Sequence, residues 1–199
     1  MQEASDLRQG GMVAITGLDE EDLLKLCEDS KVIAATQDRD NFDTELYLGI
    51  GNYLSDKHFT VSGDISACIA LQEAALLRQE VKVVKLLAVS GAFHTPLMSP
   101  AQHALSAILE ETSFTPETMS CPVYSNVTGD SYYYHDSTSH DIKTALLVQL
   151  VQPVMWNKSM SLLLSHPSFQ QAYEVGPGSV CSGIVKAHNR RAKVKPYKL

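Results

Sequence analysis

The sequence predicts an α/β protein that includes a smaller α+β subdomain. Short apolar runs typical of strands alternate with segments in which apolar residues recur at helical spacing. Up to residue 89 the order of these elements is β-α-β-β-α-β, which predicts a ferredoxin-like subdomain over residues 11–89. Residues 1–10 and 90–199 are then expected to belong to a second subdomain in which helices and strands alternate.

Local signals justify each element of the first subdomain. Apolar runs predict strands over residues 12–17, 46–50, 58–62 and 81–89. Asp19 is a predicted N-cap, and the acidic residues that follow it favour the first turn of a helix. Apolar side chains at helical spacing, from Ile65 onward, predict a second helix before the last strand.

The second subdomain is predicted to contain more helix than strand. Helices are expected over residues 100–112, 142–150 and 156–165, and from the turn Gly176-Pro177-Gly178 through His188. Strands are expected only over residues 122–127 and 172–175, and residues 131–139 form a polar loop. Because a parallel sheet covered on both faces needs more strands, the others are expected from a preceding segment or another chain.

Composition and charge narrow the function classes. The 16 basic and 23 acidic residues give a net charge of −7, which argues against nucleic acid as the main partner. An RNA-recognition module shares the β-α-β-β-α-β order, but Phe59 is the one aromatic residue suitably placed for base stacking. The C-terminus is basic. It is interpreted either as a solvated tail or as a docking strip for an acidic partner. Its basic residues are Lys186, Arg190, Arg191, Lys193, Lys195 and Lys198.

Other features predict an intracellular protein without a metal or cofactor. Four widely spaced cysteines indicate reduced structural thiols. His135 and His140 lack a second ligand pair, so no metal site is expected. No apolar run reaches the roughly 20 residues that cross a membrane, and the first residues have the pattern of neither a signal nor a transit peptide.

Residues 89–98, VSGAFHTPLM, are the main candidate for a catalytic segment. They place His94 just past a predicted strand, where a rigid scaffold tends to present catalytic side chains on a loop. A histidine near neutral pKa can accept a hydroxyl proton and return it to a leaving thiolate. The alternative is a structural histidine whose ring nitrogens are hydrogen-bonded within the protein. For Phe93, the alternative is an aromatic side chain of the hydrophobic core.

Gln149 is the second candidate, in the segment QLVQPVMW. It shares a predicted helix face with Ile142 and Leu146, so we expect it to be buried and to need a polar partner. The alternative is a capping or packing glutamine. Gly176-Pro177-Gly178 before a helix could cradle a phosphate, but as a lone motif it is more typical of a strand-to-helix turn.

Both segments resemble motifs of malonyl-CoA:acyl carrier protein transacylases, and the match to residues 90–95 and 52–54 is nearest to the animal mitochondrial form. Further stretches match in order: residues 10–15, 51–63, 123–127 and 173–178. The resemblance departs at Leu54, where the family has a second Asn, and at Asp56, where it has Pro. It implies the C-terminal part of an α/β-hydrolase-like acyltransferase subdomain in residues 1–10 and 90–199.

The resemblance implies transfer of malonyl from malonyl-CoA to the phosphopantetheine thiol of an acyl carrier protein, for fatty acid biosynthesis. It implies that His94 is the general base, that the backbone carbonyl of Gln149 fixes its tautomer, and that Phe93 excludes branched acyl groups. It also implies that Met1, Met12 and Asn52 line the acyl site. The location implied is the mitochondrial matrix, with the cytoplasm as the alternative.

The resemblance also implies parts that these 199 residues do not contain. The family's Gly-x-Ser-x-Gly elbow and the arginine that binds the malonyl carboxylate both fall before Met1. Ser90 is a poor substitute nucleophile, because no elbow exposes it and no helix N-terminus supplies an oxyanion hole. The chain alone is therefore expected to be inactive. The alternative is a non-catalytic homologue that binds an acyl carrier protein or completes an assembly through an open sheet edge.

Overall fold

The computed structural model describes residues 1–37, 45–132 and 137–197. Mixed helices and strands confirm the α/β class. In the first part of the chain the elements are α1 (Gln2–Leu7), β1 (Gly10–Thr16), α2 (Glu20–Gln37), β2 (Leu48–Ser55), β3 (His58–Asp64), α3 (Ile65–Leu76) and β4 (Val83–Leu86). In the second part they are α4 (Ser99–Glu111), β5 (Val123–Tyr124), β6 (Ser131–Tyr132), α5 (Ser139–Val148), α6 (Trp156–Ser165), β7 (Ala172–Val175), α7 (Val180–His188) and β8 (Val194–Tyr197).

The first part contains a four-stranded antiparallel sheet in the order β2-β3-β1-β4. β1 pairs with β3 from Gly10↔Asp64 to Thr16↔His58, and β4 pairs with the other edge of β1. With α2 and α3 this is the strand order and connectivity of a ferredoxin-like unit. The division of the chain at residues 11 and 89 stays a prediction.

One face of this sheet packs on α2 and α3 and forms the largest core. Alternate residues of the strands point into it, as the two-residue period of a strand requires; Val13, Ile15, Phe59 and Val61 are all at most 3% exposed. The opposite face carries Met12, Thr60 and Ser62, which are buried as well. Since both faces are covered, the sheet is an internal layer on which the candidate site is built.

The second part is assembled from small pieces. β5 and β6 form an antiparallel pair, and β7 and β8 form a parallel pair. There are also two small apolar clusters, one around Ala4 and Met98 and one around Met160 and Val185. None of the helices in the described ranges combines the length and apolar character that crossing a membrane requires.

Several predicted bounds are wrong. The strand expected over residues 81–89 is only β4, because the pairing with β1 ends near Leu86 and the chain then turns, with the Val89 amide donating to the carbonyl of Leu87. The strand expected over 122–127 is only β5, because the backbone turns between Ser125 and Asp130. The polar loop expected over 131–139 begins as β6, and residues 133–136 lie outside the described residues.

Besides β6, two elements are absent from the sequence-based prediction. α1 lies in residues for which no element is predicted; its buried residue Ala4 packs with Met98 and Ala101. β8 lies within the basic C-terminal segment, where the prediction favoured a solvated tail. Val194 anchors it against the cluster around Met160, while Lys195 stays exposed. Both elements depend on tertiary contacts, which cannot be predicted from short polar sequences.

Candidate active site

The candidate site lies where the chain leaves β4 and enters α4. Gly91 and Ala92 are buried, Phe93 and His94 are half-buried, and Thr95 is buried again. A close approach fixes this loop against β1, because a Cβ added at Gly10 would lie 2.4 Å from the backbone nitrogen of Ala92. The loop is therefore held on the sheet at the point where its polar side chains begin.

The His94 ring faces the C-terminal end of α5. Its Nδ1 lies 2.8 Å from the backbone carbonyl oxygen of Gln149. A carbonyl can only accept a hydrogen bond, so Nδ1 carries the proton and Nε2 of the neutral ring keeps its lone pair. The ring is thereby set in the tautomer that a general base needs.

Gln149 can offer its carbonyl because α5 stops at Val148. It is the C-cap residue, and its amide still donates to Ala145 while its own carbonyl lies beyond the last helical bonds. The prediction of a buried glutamine is only partly right, since Gln149 is half-buried. Its side chain does have a polar partner: Oε1 accepts from Nδ2 of Asn126 at 3.1 Å.

A parallel bridge between Asn52 and Val154 connects the sheet to the segment that follows Gln149. The Tyr53 amide donates to the Val154 carbonyl, and the Val154 amide donates to the carbonyl of Gly51, both at 2.9 Å. The register of β2 against β3 shifts at Gly51. This bulge lets the segment dock, and the Oδ1 of Asn52 accepts from the Thr60 hydroxyl.

The predicted site residues fall into two groups. Phe93, His94 and Gln149 come together, with Phe93 packed against the cluster around Ala4 and Met98. Asn52 lies alongside, because its neighbour Gly51 approaches the backbone of Phe93 so closely that an added Cβ would be 3.3 Å from the Phe93 carbonyl oxygen.

The two methionines differ in their surroundings. Met12 is buried on β1 opposite Ser62, and Met1 is 57% exposed at the start of α1. Their role as acyl-pocket residues stays a prediction, as do the roles of His94, Gln149, Phe93 and Asn52.

The Gly176-Pro177-Gly178 turn holds no free phosphate cradle. The start of α7 is occupied by the Glu174 carboxylate, which accepts from the amides of Cys181 and Ser182, both at 2.9 Å, and from the Ser182 hydroxyl. These bonds hold the pKa of Glu174 below its usual value. The carboxylate takes the place that an anionic ligand would need.

Three of the four cysteines are poorly suited to act as nucleophiles. Burial raises the pKa of Cys27 and of Cys68 to about 12, so both stay as neutral thiols. Cys181 lies in the first turn of α7, but partial burial and the nearby Glu174 carboxylate raise its pKa. Within the described ranges no cluster of three or more His, Cys, Asp or Glu could bind a metal ion; His135 lies outside them.

Two site features have no counterpart in the predictions. His188 at the end of α7 places its Nε2 2.6 Å from the carbonyl oxygen of Leu54, so the position where the family motif has Asn is joined to α7 through its backbone. An apolar cavity of about 420 Å³ lies beside Gln149; its lining includes Phe114, Met119, Val123, Ile142 and Leu146. Neither leaves a sequence signal, because both arise from packing between distant segments.

Comparison with known proteins identifies relatives along nearly the whole chain. A mitochondrial malonyl-CoA-acyl carrier protein transacylase of Homo sapiens is 31% identical over 195 residues, which are 96% of this chain and 47% of that protein. The transacylase of Salmonella typhimurium is 32% identical and covers 94% of this chain and 54% of its own length. No protein-family model matches the chain.

Solved structures of transacylases are similar to this chain as well. The malonyl-CoA:acyl carrier protein transacylase of Xanthomonas oryzae aligns with a TM-score of 0.81 at 26% identity, over 98% of this chain and 56% of that one. A type II PKS acyl-carrier protein in complex with its malonyl-transacylase contains the same fold, with a TM-score of 0.78 at 24% identity. The chain spans about half the length of the curated relatives it matches. The resemblance is thus confirmed: over nearly its whole length the chain is similar to malonyl-CoA:acyl carrier protein transacylases.

Proposed function

We propose that the chain is the histidine-bearing part of an enzyme that moves malonyl from malonyl-CoA to the phosphopantetheine thiol of an acyl carrier protein, in fatty acid biosynthesis. The observation that supports this best is the 2.8 Å contact between His94 Nδ1 and the Gln149 carbonyl oxygen. It orients a neutral imidazole so that Nε2 is the basic nitrogen, as acyl transfer through a serine requires.

In the proposed reaction His94 acts twice. Its Nε2 takes the proton of a serine hydroxyl as the serine attacks the malonyl thioester, and it returns the proton to the departing coenzyme A thiolate. The malonyl-serine then passes its acyl group to the carrier-protein thiol by the reverse proton transfers, a ping-pong sequence. During each step the Gln149 carbonyl stabilises the transient imidazolium through the Nδ1–H bond.

Phe93 is proposed to set the acyl specificity. It lies next to His94 and packs against the buried cluster of Ala4, Met98 and Ala101, so its ring has little freedom to move aside for a branching methyl group. Asn52, Met12 and Met1 are proposed to complete the acyl site.

The serine, its elbow and the arginine for the malonyl carboxylate are proposed to come from the part of the relatives' length that this chain does not span. An exposed face of the β7–β8 pair supports this. Tyr173, Val175 and Tyr197 are 57%, 64% and 53% exposed on it, whereas parallel strands are ordinarily covered on both faces. The same face also favours the second candidate function, a non-catalytic module that binds an acyl carrier protein or a partner completing the sheet.

The proposed carrier-protein contact is the basic segment that follows α7. Lys193 and Lys195 are exposed around β8, and Arg190 and Arg191 are exposed in the preceding turn; Lys198 lies outside the described residues. A cationic strip of this kind would attract an acidic carrier protein at long range. Since mouse and human relatives are named mitochondrial, we propose the mitochondrial matrix as the location.

Two measurements on the protein purified from its own source test the proposal. The first is intact mass: a value well above 21.8 kDa favours the enzyme, and a mass matching these 199 residues favours the non-catalytic module. The second is malonyl transfer. His94→Ala should lower the rate by about 10²- to 10⁴-fold, while the control His103→Ala, which alters an exposed histidine on α4, should not. Near-normal transfer by His94→Ala would refute the proposal.

A separate assay tests the acyl specificity. Phe93→Ser should raise transfer of methylmalonyl relative to malonyl, because the side chain that crowds the branch position is removed. An unchanged ratio would contradict the assignment of Phe93 even if His94 proved essential.

A further inference from the structure

The backbone of His94 lies in the left-handed region, with φ 62°, and no other non-glycine residue within the described ranges has a positive φ. Histidine visits this region more often than most residues, but it remains sparsely populated. Such a conformation costs free energy and persists where the surroundings over-determine it. Some contact within the loop must therefore hold His94 in place.

The hydroxyl of Thr95 joins the backbone on the two sides of His94. It donates to the Ala92 carbonyl oxygen at 2.6 Å and accepts from the Leu97 amide at 3.3 Å. Thr95 is 1% exposed, so water does not compete for these bonds and their loss would leave buried polar groups unpaired. One buried hydroxyl thus closes the loop around the histidine.

The Ala92 end of this closure is itself fixed. Ala92 is 1% exposed and its backbone nitrogen lies against Gly10 of β1. The Leu97 end belongs to a short 3₁₀ turn, Pro96–Met98, whose last residue is buried. Since both ends are anchored, the span between them is short enough for the Thr95 bonds to determine the conformation of His94.

We infer that Thr95 is a positioning residue whose hydroxyl holds His94 in its left-handed conformation and thereby directs Nδ1 at the Gln149 carbonyl and Nε2 at the reacting group. The geometric part of this inference stands on the loop alone, and its catalytic meaning rests on the proposed function. The competing interpretation is that the hydroxyl only caps the 3₁₀ turn, in which case its removal lowers stability and leaves the His94 ring unchanged.

The ring tautomer distinguishes these interpretations, by ¹⁵N NMR of the 199-residue chain labelled at histidine. Thr95→Val keeps the shape and removes the hydroxyl, and Thr95→Ser keeps the hydroxyl. We expect the Nδ1–H form in the wild type and in Thr95→Ser, and loss of that fixed tautomer in Thr95→Val. His94→Gln assigns the signal, and the exposed His103 is the internal control.

Unchanged His94 signals in a folded Thr95→Val chain would overturn the inference. If Thr95→Val does not fold, Thr95→Ala replaces it, and a Thr95→Ser chain that folds but has lost the tautomer would equally overturn the inference.

Malonyl transfer by the source protein keeps the two proposals apart. Thr95→Val should lower it by about tenfold; a changed tautomer with unchanged transfer would leave the positioning role intact and refute the catalytic role of His94.

Discussion

The group that orients His94 is a backbone carbonyl, and this decides what mutation can do at the site. Gln149 contributes its main-chain oxygen to the histidine, while its side chain turns to Asn126. Its carbonyl is available because Gln149 caps α5 rather than continuing it. The side chain at position 149 is therefore expected to matter less than the helix end that it occupies.

Gln149→Ala should leave the Nδ1–H tautomer of His94 intact, because the carbonyl oxygen remains. The lost bond to Asn126 is exposed, so the free energy of unfolding should fall by about 1 kcal/mol or less. Ring ¹⁵N shifts and urea unfolding measure the two effects, and Asn126→Ala removes the same bond from the other side. A mixed tautomer in Gln149→Ala alone would mean that the glutamine side chain orients the ring.

Sequence reasoning reaches His94, Phe93 and Gln149 because each stands in a local motif. The left-handed backbone of His94 and the role of the Thr95 hydroxyl are not predictable in this way. They depend on the contact that fixes Ala92 against Gly10, and a threonine after a histidine carries no sequence signal for that contact. Burial of Gln149 is overestimated for a related reason. Helical spacing places it on the apolar face, but the helix ends one residue earlier.

At the scale of elements, long periodic segments are predicted well, and short ones that depend on distant contacts are not. α2, α3 and α6 follow from their apolar spacing and their first-turn or boundary residues. α1 and β8 are too short to carry a period, and single anchoring contacts stabilise them. Two polar contacts attach helices near the ends of the chain: the Arg8–Asp64 pair follows α1, and the Glu174 carboxylate binds the first turn of α7.

Arg8 joins the segment after α1 to the end of β3. Its Nε and Nη2 lie 2.5 and 2.6 Å from the two oxygens of Asp64, whose side chain is 8% exposed, against 34% for Arg8. Arg8→Met would leave a nearly buried carboxylate without its cation. The free energy of unfolding should fall by about 2 kcal/mol, less than for a fully buried pair because the arginine is partly solvated.

The control for Arg8→Met is Arg78→Met, which breaks the exposed pair with Glu80 at 3.4 Å. It should cost much less than Arg8→Met, because solvent screens an exposed pair. Urea denaturation compares the two variants, and equal losses would show that the geometry of the Asp64 pair adds nothing to stability.

Glu174 makes the attachment of α7 dependent on pH. Its hydrogen bonds to Ser182 and Cys181 lower its pKa in the folded chain, so the folded state prefers the carboxylate more than the unfolded state does. The resulting stabilisation is complete above the ordinary carboxyl pKa of about 4.3 and is lost as the pH falls through the lowered value. Thermal unfolding should therefore show Glu174→Gln less stable than the wild type at pH 7.

The difference between Glu174→Gln and the wild type should narrow at acid pH, where both side chains are neutral. Glu73→Gln, on exposed α3 surface, changes the net charge equally and serves as the control. A gap that stays constant down to the acid limit would mean that the charge of Glu174 does not hold α7.

At the scale of the molecule, stability is expected to be uneven. Among the residues that the structure describes, the core on the four-stranded sheet contains sixteen buried apolar residues, whereas the clusters around Met98 and Met160 contain three each. The free energy of local opening follows the apolar surface that an opening exposes. The sheet order is predictable from the sequence because it follows from β-α-β-β-α-β connectivity, but the thin packing of the second part follows from tertiary contacts alone.

Native-state hydrogen exchange should resolve this difference. Amides of β1 and β3 should exchange only by the largest openings, and those of β7 and β8 by smaller ones.

Leu71→Ala removes a side chain of the large core that is 0% exposed, and the loss should cost about 2–5 kcal/mol. The control Leu77→Ala alters a residue of the same type that is 86% exposed. Leu71→Ala should accelerate exchange in β1 and β3 and leave β7 and β8 unchanged, with no effect of Leu77→Ala on either. Equal acceleration in all four strands would mean that the chain unfolds as one cooperative unit, and that the exposed β7–β8 face is stabilised by the large core.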